Sequence, residues 1–143
     1  MGIAAYSIAI EDHFATAWGN QTAIRFDNAP FIVPDPPESW VSIEIYDGDG
    51  RKASLGAGVQ LRRFVGTVFV TVYTLKAEGS YPARVLVDEV VDVFRDVQTG
   101  GCTFYEATLS RVGEQYFPTS GNINGTTQWY VIKVGIPFKY DEY

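Results

Sequence analysis

Cysteine, histidine and methionine are almost missing from this 143-residue chain, with one of each. A lone cysteine, Cys102, excludes an internal disulfide and any zinc site built on cysteine ligands. Read as a strand-start residue, it is a small buried hydrophobe rather than a reactive thiol. The lone histidine, His13, lies in a helical pattern beside Glu11 and Asp12 and reads as helix surface. No apolar run approaches the roughly 18 residues of a membrane span. The first residues lack the positive charge of a secretion signal, and Tyr6 stands where a myristoylation site needs Ser or Thr. The triplets at Asn20 and Asn124 are therefore read as chance, and a reducing cytoplasm is the expected setting.

Positive charge is also scarce: 11 Lys and Arg stand against 17 Asp and Glu, a net charge of −6. That balance argues against general nucleic-acid binding by charge, though not against a local basic site. Aromatics, by contrast, make up 15% of the chain, with nine Phe, nine Tyr and three Trp. This exceeds what a small core needs and leaves Tyr and Trp for contact surfaces. One domain, residues 1–143, suits the length.

Periodicity gives the elements. In residues 3–18, Ile3, Ser7, Ile10, Phe14, Ala17 and Trp18 form one helical stripe. A short strand, 23–26, precedes a proline-containing stretch, 28–37, in which Pro34-Asp35-Pro36-Pro37 should run extended over the surface. Residues 40–46 alternate, with Val41, Ile43 and Ile45 on one face and Ser42, Glu44 and Tyr46 on the other. In residues 61–73, Phe64, Val68, Val70 and Val72 face one way; Val65, Thr67, Phe69, Thr71 and Tyr73 face the other. Neither side of that strand is plainly polar, so one should meet the helices and the second another surface. Ser80 and Pro82 open a helix that the pattern carries to about residue 97, stopped by Gly100 and Gly101. Its buried stripe is Ala83, Leu86, Val87, Val90, Phe94 and Val97. Strands at 102–112 and 128–140 flank a long connection, 113–127. The expected fold is α+β, a mostly antiparallel sheet with two helices packed on one face, in the order α-β-β-β-α-β-β.

Candidate chemistry is sparse. Asp47-Gly48-Asp49-Gly50 begins like a calcium loop, but Gly58 stands where the EF-hand pattern needs Glu. Ser54 and Ser110 lack a nucleophile-elbow setting, and no phosphate-loop lysine follows the glycines. Glu44 and Glu106 are candidates to share a sheet face, as solvated carboxylates do routinely. No catalytic residue, cofactor or metal is expected.

The segment 47–58 is different, because it joins two strands with far more chain than a hairpin needs. It carries Arg51 and Lys52, and Arg62 and Arg63 follow. Four of the eleven basic residues thus fall within thirteen positions. They read as a solvated loop base, or as a dock for carboxylates of a neighbour or for DNA phosphates.

This constellation resembles the tail-terminator (tail-completion) family of long-tailed bacteriophages. The resemblance runs through Asn28-Ala29-Pro30-Phe31, Trp40-Val41-Ser42-Ile43-Glu44-Ile45 and the segment from Arg51 to Gly58. It continues through Arg62-Arg63-Phe64-Val65-Gly66, the alternating run 68–73 and the ending Trp129 to Phe138. Ala53-Ser54-Leu55-Gly56 with its basic flank, and Ile136-Pro137-Phe138, are the most specific pieces. The resemblance implies a non-enzymatic virion protein at the head-proximal end of the tail. Its copies form a ring, usually a hexamer, that caps the finished tube and stops its polymerisation. Its partners would be itself, the tail tube protein and a head-completion or connector protein, with DNA in passage only and no membrane. The expected interface residues are Arg51, Lys52, Ser54, Leu55, Arg62, Arg63, Phe69 and Tyr73. The basic arm would meet the acidic side of helix 81–97 in the next copy, since a ring joins unlike patches. Alternatives are a head-to-tail joining (neck) protein, or a small-molecule-binding cone-shaped α+β domain.

Overall fold

The computed structural model describes residues 2–34, 38–52, 62–75, 78–118 and 126–142. Two helices, α1 (Gly2–Trp18) and α2 (Tyr81–Phe94), accompany seven strands. These are β1 (Ala23–Phe26), β2 (Trp40–Lys52), β3 (Arg62–Leu75), β4 (Gln98–Thr99), β5 (Cys102–Phe104), β6 (Thr108–Pro118) and β7 (Thr126–Glu142). They make one sheet in the order β1-β2-β3-β7-β5-β4, with β6 also paired to β7. All pairings are antiparallel except β1 with β2, so the sheet is mixed. The parallel pair follows from chain path: after Phe26 the chain must return to the start of β2 before it can pair, and residues 27–39 make that return.

Both helices pack on the same face. The main core joins Tyr6, Ile10, Phe14 and Trp18 of α1 with Ala83, Val87, Val90 and Phe94 of α2. The sheet contributes Val41, Ile43, Val68, Val70, Val72, Val134, Ile136 and Phe138. The two-residue alternation expected in β2 and β3 is the one observed. The α1 stripe is not. It runs at strict spacings of four through Tyr6, Ile10, Phe14 and Trp18, while Ile3 and Ala17 are exposed. Tyr6 can lie inside because its hydroxyl donates to the Asp47 carboxylate on β2. Burial and that acceptor together push the phenol's pKa upward.

The second helix stops at Phe94, not near 97, because Arg95 turns extended and Asp96 takes a positive φ of 53°. Ser80 makes no side-chain cap; Pro82 in the first turn starts the helix instead. Gly100 and Gly101 do not stop this helix. They form a two-residue hairpin turn between Thr99 and Cys102, both at positive φ, which glycine adopts without steric cost.

Two connections expected from sequence are partly strand, and one expected strand is interrupted. Residues 47–52 continue β2 past a bulge between Asp47 and Gly50, pairing with Arg62 to Gly66. The described part of the basic arm is therefore a hairpin stem. The 113–127 connection is mostly ladder, with β6 reaching Pro118 and β7 starting at Thr126. The expected strand 102–112 is broken at 105–107, so β5 and β6 lie end to end along one edge of β7.

Candidate assembly surface

The sheet face away from the helices divides into a covered end and an open end. At the covered end Trp40 stacks on its cross-strand partner Tyr73, with ring centroids 3.9 Å apart and planes within 6°. Phe31 closes over Trp40 at 4.9 Å, and Trp129 meets it edge-on at 6.1 Å. Val131, Val33 and Leu75 complete this second cluster. The proline-containing stretch thus lays Phe31 and Val33 on the sheet, while residues 35–37 of the run expected to be extended lie outside the described residues. Tyr73, expected at an interface, is only 7% exposed and belongs to the chain's own packing. Burial raises the pKa of its hydroxyl.

Toward the other end the same face is accessible. Tyr46 is 52% exposed and Val65 37%. Phe69 is half-buried and stands opposite Gly135 of β7. A Cβ on Gly135 would lie 3.0 Å from the Phe69 ring, so glycine is what lets that ring lie flat on the sheet. Tyr46 meets Phe69 edge-on at 4.7 Å. The Lys133 ammonium sits 4.3 Å from the centre of the Phe69 ring and 5.4 Å from that of Tyr46. Cation–π attraction of this kind at a partly exposed site is worth about 0.5–1 kcal/mol and strengthens as water is removed. Sequence pattern singles out Phe69 but not Lys133, whose only signal is a single cation within the apolar run 129–138.

The strand ladder assembles the basic residues. Register sets Arg51 opposite Arg63 and Lys52 opposite Arg62. Like charges directly opposite destabilise a ladder. The third strand answers them, because Asp141 stands in register with Arg63 and Glu142 with Arg62. Arg63 grips Asp141 with two N–H groups, Nε at 2.7 Å and an Nη at 3.2 Å, and Lys139 stands 3.6 Å from the same carboxylate. Arg63 is thereby engaged within its own chain, whereas Arg62 is exposed. Ser54 and Leu55 lie outside the described residues. On α2, the acidic positions Asp88 and Asp92 are exposed, and Asp92 already pairs with Arg95 at 3.4 Å.

The Arg63 hydrogen bond, with further help from Lys139, holds the Asp141 carboxyl below the usual range. A depressed folded pKa stabilises above the unfolded value near 4, and the gain is lost as pH falls through the folded value. Both side chains are about a quarter exposed, at 30% and 26%, which screens the pair. Asp141→Asn should therefore cost about 0.5–1 kcal/mol in urea unfolding at pH 7 and converge with the parent at strongly acidic pH. Equal stability at pH 7 would show that the pair contributes nothing.

The remaining candidates have structural roles. His13 donates from Nε2 to the Val93 carbonyl oxygen at 2.8 Å and packs against Phe94 and Phe104. It ties α1 to α2 and is not simply helix surface. Cys102 is buried, and desolvation raises its thiol pKa to about 11. Glu44 on β2 is separated by β3 and β7 from Glu106, which lies between β5 and β6. An open groove of about 180 Å³ lies where α2 ends, with Val91, Phe94, Phe104 and Ile136 as its apolar lining and Asp96 and Glu106 beside them.

No protein-family model matches the chain, and no curated protein does. A solved structure whose name states no function is similar over 98% of this chain and 93% of its own, with a TM-score of 0.57 and 17% identity. That likeness is one of fold.

Proposed function

We propose that this protein is a structural virion component that acts by assembly. Its copies form a ring, a hexamer in the resemblance to tail terminators, which caps the head-proximal end of the tail tube, ends its polymerisation and receives the head. The observation that carries this reading is the open end of the second sheet face. Tyr46, Val65, Phe69 and Lys133 are presented there on paired strands beside a basic hairpin stem. Exposed aromatics with a cation between them suit protein contact, where Tyr, Phe and Arg-like cations gain most when water leaves. The surface belongs to rigid ladder rather than loop, which lowers the ordering cost of binding.

The test separates fold from assembly. The double variant Tyr46→Ser/Phe69→Ser should keep the parent's far-UV spectrum and melt cooperatively. It should weaken ring formation at least tenfold by native mass spectrometry, and negative-stain micrographs should show tail tubes left uncapped. A parent protein that stays monomeric and leaves tubes elongating overturns the proposal. So does a double variant that assembles and caps like the parent.

A further inference from the structure

Among the described residues the sheet has two long unpaired edges, and they lie on its opposite sides. On one side β1 covers β2 only from Trp40 to Ile43. Among the described residues, no strand pairs with the outer edge of β2 from Glu44 to Lys52. On the other side β6 pairs with β7 alone, so its outer edge from Thr108 to Pro118 also has no strand beside it among those residues. Each edge is longer than a typical strand of five or six residues. An exposed row of N–H and C=O groups of that length is a template for another chain.

The directions are compatible. β2, β3, β7 and β6 run alternately up and down, since each adjacent pair is antiparallel. β6 therefore runs opposite to β2. When copies are carried round an axis to which the strands are tilted, β6 of one meets β2 of the next in antiparallel sense. A four-strand unit of this kind repeats without a parallel joint. The levels also differ in a useful way. Through β3, the free part of β2 is level with Gly135 to Glu142 of β7, while β6 is level with Gly135 to Thr126. The two edges are thus diagonal across the sheet. A sheet that closes on itself requires tilted strands and a stagger of this type.

We infer that a second copy of this chain occupies each edge: the β6 edge of one subunit pairs with the Glu44–Lys52 edge of its neighbour, giving one continuous antiparallel sheet around the ring. This rests on the ring reading and names the interface within it. The contact is heterologous, as a closed ring demands. Main-chain hydrogen bonds supply its affinity, and the side chains of the two edges set its register. Both edges carry a bulge, between Asp47 and Gly50 in β2 and between Arg111 and Gly113 in β6. Bulges interrupt pairing with strangers and re-aim an edge, so each one limits which partner strand fits.

The buried Cys102 makes the test clean, because its thiol is shielded from mild reagents. Glu44→Cys is combined in one chain with Gln115→Cys or Phe117→Cys, positions at the end of β6 that antiparallel pairing of the two full edges brings beside Glu44. Treatment with a short bismaleimide should give a ladder of covalent multimers ending at the ring mass, and neither single variant should pass the dimer. In parallel, amide hydrogen exchange over residues 108–118 and 44–52 should slow at least tenfold from dilute monomer to ring. A ring that forms by native mass, without the ladder and with unchanged exchange in both segments, overturns the edge pairing and leaves the ring reading standing. A chain that stays monomeric alone and on tail tubes overturns both.

Discussion

Gly66→Ala should produce the largest loss of stability of any conservative change in the sheet, about 3 kcal/mol or more, because it overpacks a site closed by backbone. A Cβ there would stand 2.5 Å from the Tyr46 carbonyl oxygen and 2.9 Å from two atoms of the Phe138 ring. Neither neighbour has room to yield. Tyr46 belongs to the ladder just before the β2 bulge, and the Phe138 ring is held by Tyr6 at 5.2 Å and Phe104 at 6.4 Å. The alanine must therefore part β2 from β3 or drive Phe138 into the α1 contact, which also carries the Tyr6–Asp47 hydrogen bond. Circular-dichroism melts should show a drop of about 6–12 °C or more, given about 2–4 °C per kcal/mol near 150 residues. A melting point within a few degrees of the parent would mean that the strands separate at this site without cost.

Trp40→Ala should cost about 3–5 kcal/mol, the usual range for emptying a buried aromatic site. Trp40 is fully buried and central to the second cluster, contacting Phe31, Tyr73 and Trp129. Its removal leaves a cavity between the sheet and the Phe31–Val33 cover. The effect should be local in kind as well as large: Phe31 and Val33 should lose their seat, and proteolysis after Phe31 should accelerate. Trp40→Phe should recover more than half of the loss, since a ring can still stack on Tyr73. If alanine and phenylalanine behave alike, the stack is not what holds the cover down.

The physical interest of the two sites is that they secure opposite faces of one sheet. Gly66 fixes the helix side, where an aromatic ring lies over a bare backbone. Trp40 fixes the other side, where a short extended stretch takes the place of a helix layer. Between them, the open patch of Tyr46, Phe69 and Lys133 lies on strands whose positions are set from both faces. That rigidity suits a surface whose proposed role is to meet identical copies in a fixed geometry.

The core faces of the main strands are legible in local pattern. The alternation of Val41, Ile43 and Ile45 and of Val68, Val70 and Val72 assigns them correctly, because a strand's two-residue period depends only on local backbone geometry. The α2 stripe is legible for the same reason. Tyr6 escapes the pattern because a tyrosine is buried or exposed according to whether its hydroxyl finds a partner, and Asp47 lies 41 residues away. Tyr73 reads as outward-facing because nothing in residues 61–73 reveals that Phe31 and Trp40 will cover it. Residues 47–52 and 113–118 read as loops because glycine and polar residues mark turns, whereas the ladder tolerates them when β3 and β7 stand alongside.

What the sequence alone determined is the two helices and the main strands in rough order, the inward face of β2 and β3, and the clustering of four cations near one hairpin. These follow from periods of 2 and 3.6 residues and from composition. Only the tertiary structure decided which strands are neighbours, that β1 joins in parallel, that Asp141 answers Arg63, and that β2 and β6 are left with open edges on opposite sides. The reason is that pairing, burial and charge compensation join residues dozens of positions apart, and no local preference carries that information.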